Sequence, residues 1–191
     1  MIMKSLFLII SFSCFLIQGC LETSLIGSTA ILTKSAIDPR SIGRQVDDGT
    51  LEIRVRSALN KNKEIIKHAR IINTAYKGNI LLTGQAPKLF IIELAKKITI
   101  KVKGVENIYN EIRIEQPIDL IKSIKDTWIT IQIKLKIFYN NFVKLSTIKV
   151  LTENGEVFLL GIVSEEEGNI AAKIASEIKG VKHVFTGFSY N

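Results

Sequence analysis

The chain has 191 residues, 47% of them hydrophobic and 23% charged, enough apolar side chain to bury a core and too much for a disordered polymer. Its two cysteines, Cys14 and Cys20, are too few for a four-thiolate zinc site or a disulfide framework, and their spacing fits no metal motif. The net charge of +8 points either to an anionic partner or, in part, to A+T-rich codons that favour Ile, Lys and Asn, and the length allows one ordinary domain or two small ones.

The N-terminus reads as an address. After Lys4, residues 5–17 carry no charge and include Leu6, Phe7, Leu8, Ile9, Ile10, Phe12, Phe15 and Leu16. Such a run falls short of the ~20 residues that span a bilayer and suits the apolar core of an export signal. It ends in Ile17-Gln18-Gly19-Cys20, which resembles the lipobox of bacterial lipoproteins. That resemblance implies cleavage after residue 19, a diacylglycerol on the Cys20 thiol and acylation of its new amine. The alternative is a plain secretory signal that ends near a cysteine. With lipobox processing Cys14 leaves with the signal and Cys20 is capped, so no free thiol remains. Several acyl chains on one residue anchor firmly, whereas one chain is marginal. Leu21, in place of Asp, implies sorting to the outer membrane among lipoproteins of Gram-negative cells. Residues 20–45, with Gly27, Ser28, Pro39, Ser41 and Gly43 and no sustained period, read as the acylated end and a flexible tether.

Beyond the tether the chain repeats. Gly78-Asn79-Ile80-Leu81-Leu82-Thr83-Gly84 recurs 77 positions later as Gly155-Glu156-Val157-Phe158-Leu159-Leu160-Gly161. Lys103-Gly104-Val105 recurs 76 later as Lys179-Gly180-Val181. Within each unit, residues 71–76 and 80–83, and then 148–152 and 157–160, predict hairpins around Lys77-Gly78-Asn79 and Glu153-Asn154-Gly155. Residues 88–101 and 165–179 predict helices, with Ile91, Leu94, Ala95 and Ile98, and Ile170, Ile174, Ala175 and Ile178, at helical spacing. The acidic start Glu165-Glu166-Glu167 suits a helix N-terminus, and Gly104 and Gly180 supply stops. Last strands follow at 105–115 and 181–190.

Ahead of each hairpin lies an ambiguous segment. Residues 51–55 alternate, and residues 129–137 alternate more strictly, which by period and β-branched content predicts a strand. A helix is favoured by the continuation of the first copy through Arg56-Ser57-Ala58-Leu59-Asn60, and by Asp47-Asp48 and Asp126-Thr127 as possible caps.

The order helix, strand, strand, helix, strand, with a glycine closing the second strand and Gly-Val opening the last, resembles the BON domain. The stretches Asp38-Pro39-Arg40-Ser41-Ile42-Gly43, Gln45-Val46-Asp47-Asp48-Gly49-Thr50-Leu51-Glu52, Tyr109-Asn110-Glu111-Ile112-Arg113, Asp126-Thr127-Trp128-Ile129-Thr130 and Thr152-Glu153-Asn154-Gly155-Glu156-Val157-Phe158-Leu159 are similar to dual-BON outer-membrane lipoproteins. This resemblance implies an α+β fold of two tandem BON domains, residues 46–116 and 124–191, each a three-stranded mixed sheet packed against two helices. It also implies binding of anionic phospholipid through the first helix of the second domain, a place at the division site and a role in envelope integrity.

Placed on a helix at about 100° per residue, Trp128, Ile131, Leu135, Phe138 and Phe142 share one face, and Ile129, Ile133 and Ile137 lie opposite. Leu51, Val55 and Leu59 match those isoleucines 78 positions earlier, so the isoleucine face packs on the sheet and the Trp128 face points out. Lys125, Lys134 and Lys136 fall in the seams, with Lys122 nearby, and residues 118–149 hold six lysines against Asp119 and Asp126. Trp and Phe suit the headgroup boundary of a bilayer and ammonium groups suit lipid phosphates, at about 1 kcal/mol per lysine. The expected phospholipid-binding residues are Trp128, Ile131, Leu135, Phe138, Lys125, Lys134 and Lys136, and the expected ligands phosphatidylglycerol or cardiolipin. The same stripe suits a core or inter-domain anchor, the first domain, a second copy of the chain, or an envelope protein to which this chain is an adaptor.

Catalysis has little to stand on. His68 and His183 are single histidines, Glu165-Glu166-Glu167 reads as a helix start, and no glycine loop has phosphate-cradling spacing. The expectation is a non-enzymatic lipoprotein of the outer membrane, facing the periplasm, with no cofactor, no metal and no nucleic-acid partner.

Overall fold

The computed structural model of the protein describes residues 42–190, so the lipobox and Cys20 lie outside the described residues. The first repeat consists of α1 (Ile42–Leu59), a short α2 (Lys63–His68), β1 (Arg70–Tyr76), β2 (Asn79–Ala86), α3 (Leu89–Thr99) and β3 (Asn107–Ile114). The second consists of α4 (Leu120–Phe138), a 3-10 turn (Leu145–Thr147), β4 (Ile148–Glu153), β5 (Glu156–Val163), α5 (Glu165–Ser176) and β6 (His183–Tyr190). Helix α2 has no counterpart in the second repeat and was not legible in the sequence. It is capped by Asn62, whose side chain accepts from the backbone N–H groups of Glu64 and Ile65.

Each repeat forms one three-stranded mixed sheet, in the order β1-β2-β3 and β4-β5-β6. The first pair is an antiparallel hairpin, and the third strand lies parallel to the second. A parallel neighbour cannot be reached by a tight turn, so α3 and α5 serve as the crossovers. The hairpins close on two residues with positive φ, Lys77 at 54° and Gly78 at 78°, then Asn154 at 52° and Gly155 at 76°. Two such residues give the turn whose twist matches that of the flanking strands. The repeated glycine at the end of the motif answers a different need. A Cβ on Gly84 would stand 1.9 Å from the Arg70 carbonyl oxygen, and one on Gly161 would stand 2.6 Å from that of Thr147.

The ambiguous segments are helical. In α4 the odd-numbered residues from Ile129 to Ile137 form two faces at four-residue spacing, so the strand-like alternation is two apolar helix faces overlaid. Ile129, Ile133 and Ile137 are buried, as are Leu51, Val55 and Leu59 of α1. Full burial of such a side chain contributes roughly 1.5–3 kcal/mol. They pack on Ile80 and Leu82 in the first repeat and on Val157 and Leu159 in the second, with Ile91, Ala95, Ala171 and Ala175 from the crossover helices. Ser164 and Glu167 form a capping box at the start of α5, the role expected of that acidic stretch.

The expected caps of the first helices are corrected. Helix α4 starts six residues before Asp126, capped by Asp119, whose Oδ1 accepts from Lys122 N at 2.8 Å. Asp126 is instead buried in mid-helix and holds the hairpin turn: its carboxylate accepts from Asn154 N at 2.7 Å and Gly155 N at 2.8 Å. Asp48 does the same in the first repeat, accepting from Lys77 N and Gly78 N, both at 2.9 Å. A carboxylate that accepts two backbone donors satisfies a turn which would otherwise leave them unpaired under the helix.

The helix-free face of each sheet turns toward the other. Leu81, Thr83, Gln85 and Tyr76 on one side and Phe158 and Glu153 on the other are buried although they point away from their own cores. This explains why Ile80-Leu81-Leu82 and Val157-Phe158-Leu159-Leu160 are unbroken apolar stretches that do not alternate. At the centre Glu153 accepts from Arg70 Nε at 3.0 Å and from Gln85 Nε2 at 2.9 Å. At the margins Arg113 Nε donates to Glu156 at 2.9 Å while its guanidinium lies over the Phe185 ring, and Lys149 Nζ donates to Glu52 Oε1 at 2.7 Å. Burial works to lower the Arg113 pKa, but hydrogen bonding and attraction from Glu156, then Glu111, raise it above its ordinary value, so the group stays charged.

Candidate functional site

Helix α4 presents the only long apolar stripe that the fold leaves uncovered among the described first helices. Trp128 is 59% exposed and Phe138 66% exposed, and Ile131 and Leu135 between them are also exposed. The stripe is therefore neither core nor a seat for the first repeat, which is engaged through the sheets. It also runs further than the sequence expectation. Leu120, Ile121 and Ile124 are exposed, and the positions 121, 124, 128, 131, 135 and 138 keep a 3-4 spacing along one side of the helix. Ile121 and Ile124 were missed because the expected cap at Asp126 placed them before the helix, although their spacing continued the pattern.

Phe142 is a correction in the other direction. The helix stops at Phe138, and Phe142 sits in a following turn where Asn140 Oδ1 accepts from its N–H at 2.9 Å. It is exposed beside the end of the helix. Tyr139 extends the aromatic end, edge-to-face against Phe138 with ring centroids 5.4 Å apart.

Charge follows the stripe. Lys122, Lys125, Lys134 and Lys136 are all exposed. Asp126, the single carboxylate within α4, is buried and occupied by the hairpin turn. The outward surface of α4 thus combines apolar side chains with cations and carries no acid. Lys149, counted with this group from the sequence, belongs to the contact between the sheets.

The matching helix of the first repeat lacks this surface. Val46, Thr50, Ile53, Ser57 and Asn60 stand where Ile124, Trp128, Ile131, Leu135 and Phe138 stand in the second, 78 positions on. Two of the five remain apolar, too few for a continuous stripe. Glu52 accepts from Ala75 N and from Lys149, and Arg54 donates to the Lys103 carbonyl, so both charges there serve the fold.

His68 and His183 are both exposed, on different repeats. No group of three or more His, Cys, Asp or Glu among the described residues could hold a metal ion. None of the described helices is long and apolar enough to cross a membrane.

The sequence profile of the BON domain matches residues 47–116 and 125–190. Over 188 residues the chain is 41% identical to outer membrane lipoprotein DolP of Haemophilus influenzae, covering 98% of this chain and 96% of that one. It is 44% identical over 154 residues to a 21 kDa hemolysin of Actinobacillus pleuropneumoniae, covering 81% of this chain and 79% of the relative. A more distant similarity, 28% over 148 residues, joins it to osmotically-inducible protein Y of Escherichia coli, with 75% of this chain and 72% of that one covered.

Proposed function

The chain belongs to the BON-domain family as a dual-BON, envelope-associated lipoprotein of the DolP type, and from that premise we propose that it binds anionic phospholipid through α4. In this reading acyl chains on Cys20 hold the protein to the outer membrane on its periplasmic side, and the protein supports envelope integrity, at the division site, without catalysis. Phosphatidylglycerol and cardiolipin are its ligands.

The observation that carries the reading is the uncovered stripe from Ile121 to Phe138 bordered by lysines and by no exposed acid of its own helix. An interfacial helix needs an apolar face that enters the headgroup boundary and cations that stay with the phosphates. Trp128 and Phe138 supply the aromatic groups favoured at that depth. Each apolar side chain carried from partial exposure to full burial contributes on the order of 1 kcal/mol.

The 3-4 spacing also suits a coiled-coil seam, which would make the partner a second copy. The flanking positions argue against that. With Ile121, Trp128 and Leu135 in one seam register, the residues beside the seam are Lys125, Thr127, Gln132 and Lys134. A coiled-coil pair sets its partner through opposite charges at these positions, and here only like charges are available.

The test is flotation of the unacylated chain from residue 21, which keeps both repeats, with phosphatidylglycerol and phosphatidylcholine vesicles. Trp128→Glu is expected to weaken binding to the anionic vesicles about a hundredfold while the amide spectrum of the fold is retained. Unchanged binding would sink the lipid reading. A protein captured without lipid, and lost with Trp128→Glu, would transfer the stripe to the adaptor reading.

A further inference from the structure

Beside Trp128 the surface dips into a groove of about 620 Å³. Its apolar wall is Ile124 and Trp128, and its cations come from two distant parts of the chain: Lys122 and Lys125 from α4, and Lys179 and Lys182 from the segment between α5 and β6. We propose that this groove is a headgroup pocket that takes the phosphate of an anionic glycerophospholipid. The proposal rests on the lipid reading of α4 and assigns lipid selectivity to residues outside that helix.

Four lysines line one depression, and its carboxylate is turned to the hairpin backbone. Both oxygens of Asp126 are engaged by the backbone N–H groups of Asn154 and Gly155, and the side chain is buried. Lys182 is steadied by one hydrogen bond, Nζ to Asn154 Oδ1 at 3.1 Å, and keeps further donors for a ligand. Lys179 is exposed.

The repeat supplies an internal control. The positions that match Lys122, Lys125, Lys179 and Lys182 are Arg44, Asp47, Lys103 and Glu106. Two acids and two bases occupy these sequence positions, so the repeated fold does not require four cations at them. They accompany Trp128, whose counterpart is Thr50.

The chemistry selects a lipid over a free phosphate. Inorganic phosphate has no use for a wall of Trp and Ile, whereas a glycerophospholipid brings a glycerol backbone and acyl carbons next to its phosphate. Choline, with its own positive charge, is repelled by the four lysines, so zwitterionic lipids lose there what anionic ones gain.

The test compares Lys179→Gln/Lys182→Gln and Trp128→Glu in the unacylated chain from residue 21, with phosphatidylglycerol and phosphatidylcholine vesicles. The double lysine variant is expected to bind phosphatidylglycerol about thirtyfold more weakly, the effect of removing two lysines from an anionic surface. In the wild type, amides of Asn154, Gly155 and residues 179–182 should shift saturably with phosphatidylglycerol micelles and not with phosphatidylcholine ones. Wild-type affinity in the lysine variant, or amides that stay still while those of α4 move, overturns the pocket alone. Wild-type affinity in Trp128→Glu overturns the lipid reading of the stripe. Equal shifts at the same amides from glycerol 3-phosphate without lipid would make this a soluble-phosphate site and overturn the lipid assignment.

Discussion

Asp48 and Asp126 perform the same task in the two repeats, each clasping a hairpin turn from the middle of the first helix, whereas the residues two positions further on diverge completely. Thr50 is one of several polar groups on a solvated helix, and Trp128 stands in an apolar stripe. The side of the helix that meets the sheet kept its chemistry, Leu51, Val55 and Leu59 against Ile129, Ile133 and Ile137, because the sheet permits little else. The outward side answers to nothing inside the domain and has become two different surfaces. A repeat thus separates what the fold demands from what a function adds.

The comparison can be pressed hardest at the shared glycines. Gly84 has φ 118° and its Cβ would meet a backbone oxygen at 1.9 Å, whereas Gly161 lies outside the left-handed region with the contact at 2.6 Å. Gly84→Ala should cost about 4 kcal/mol, strain and clash together, and Gly161→Ala about half of that. Urea unfolding of both variants measures the difference, and equal losses would show that the two motif ends are bound by one constraint and not two.

The aspartate clasp comes next. Asn offers one acceptor where two N–H groups converge, so Asp48→Asn and Asp126→Asn should each cost about 2 kcal/mol in the same unfolding measurement. Asp126→Asn should leave binding to anionic vesicles within a few-fold of wild type, because the carboxylate faces inward. A large loss of binding from that substitution would mean that the Asn154-Gly155 turn, and not the stripe, carries most of the affinity.

The smallest effect concerns charge transfer between the repeats. Asp47→Lys/Glu106→Lys gives the first repeat the cations of the second, and in the Trp128→Glu background it should raise affinity for phosphatidylglycerol vesicles by at most about tenfold. Cations without an apolar stripe attract but do not insert. Full recovery of wild-type affinity would show that charge alone, and not the stripe, distinguishes the repeats.

Much of this was legible because the sequence contains two copies of its own plan. The hairpin glycines, the crossover helices and the inward isoleucines each appear twice, and the alignment of α1 with α4 chose between helix and strand where residues 129–137 taken alone favoured strand. What remained illegible depends on contacts far apart in the chain. Asp126 resembles a helix cap in sequence since its partner turn lies 28 residues later, and that misreading hid Ile121 and Ile124. Lys149 counts as a free cation until Glu52 is found opposite, and the burial of Glu153 depends on Arg70, 83 residues away. Lys179 and Lys182 carry no pattern of their own and join the site only through the return of the chain beside α4.

The two sheets lie back to back through Glu153, Arg70 and Gln85, with Arg113 and Lys149 fastening the rim. A protein tethered by its N-terminus alone could present any side to the bilayer. In the proposed binding mode, with α4 flat on lipid, this clasp sets the stance of the whole: the first repeat is carried at one height and one tilt, as a fixed display rather than a swinging one. The solvated surface of α1 then gains a defined outlook, and a partner docked there would be held at a set distance from the membrane.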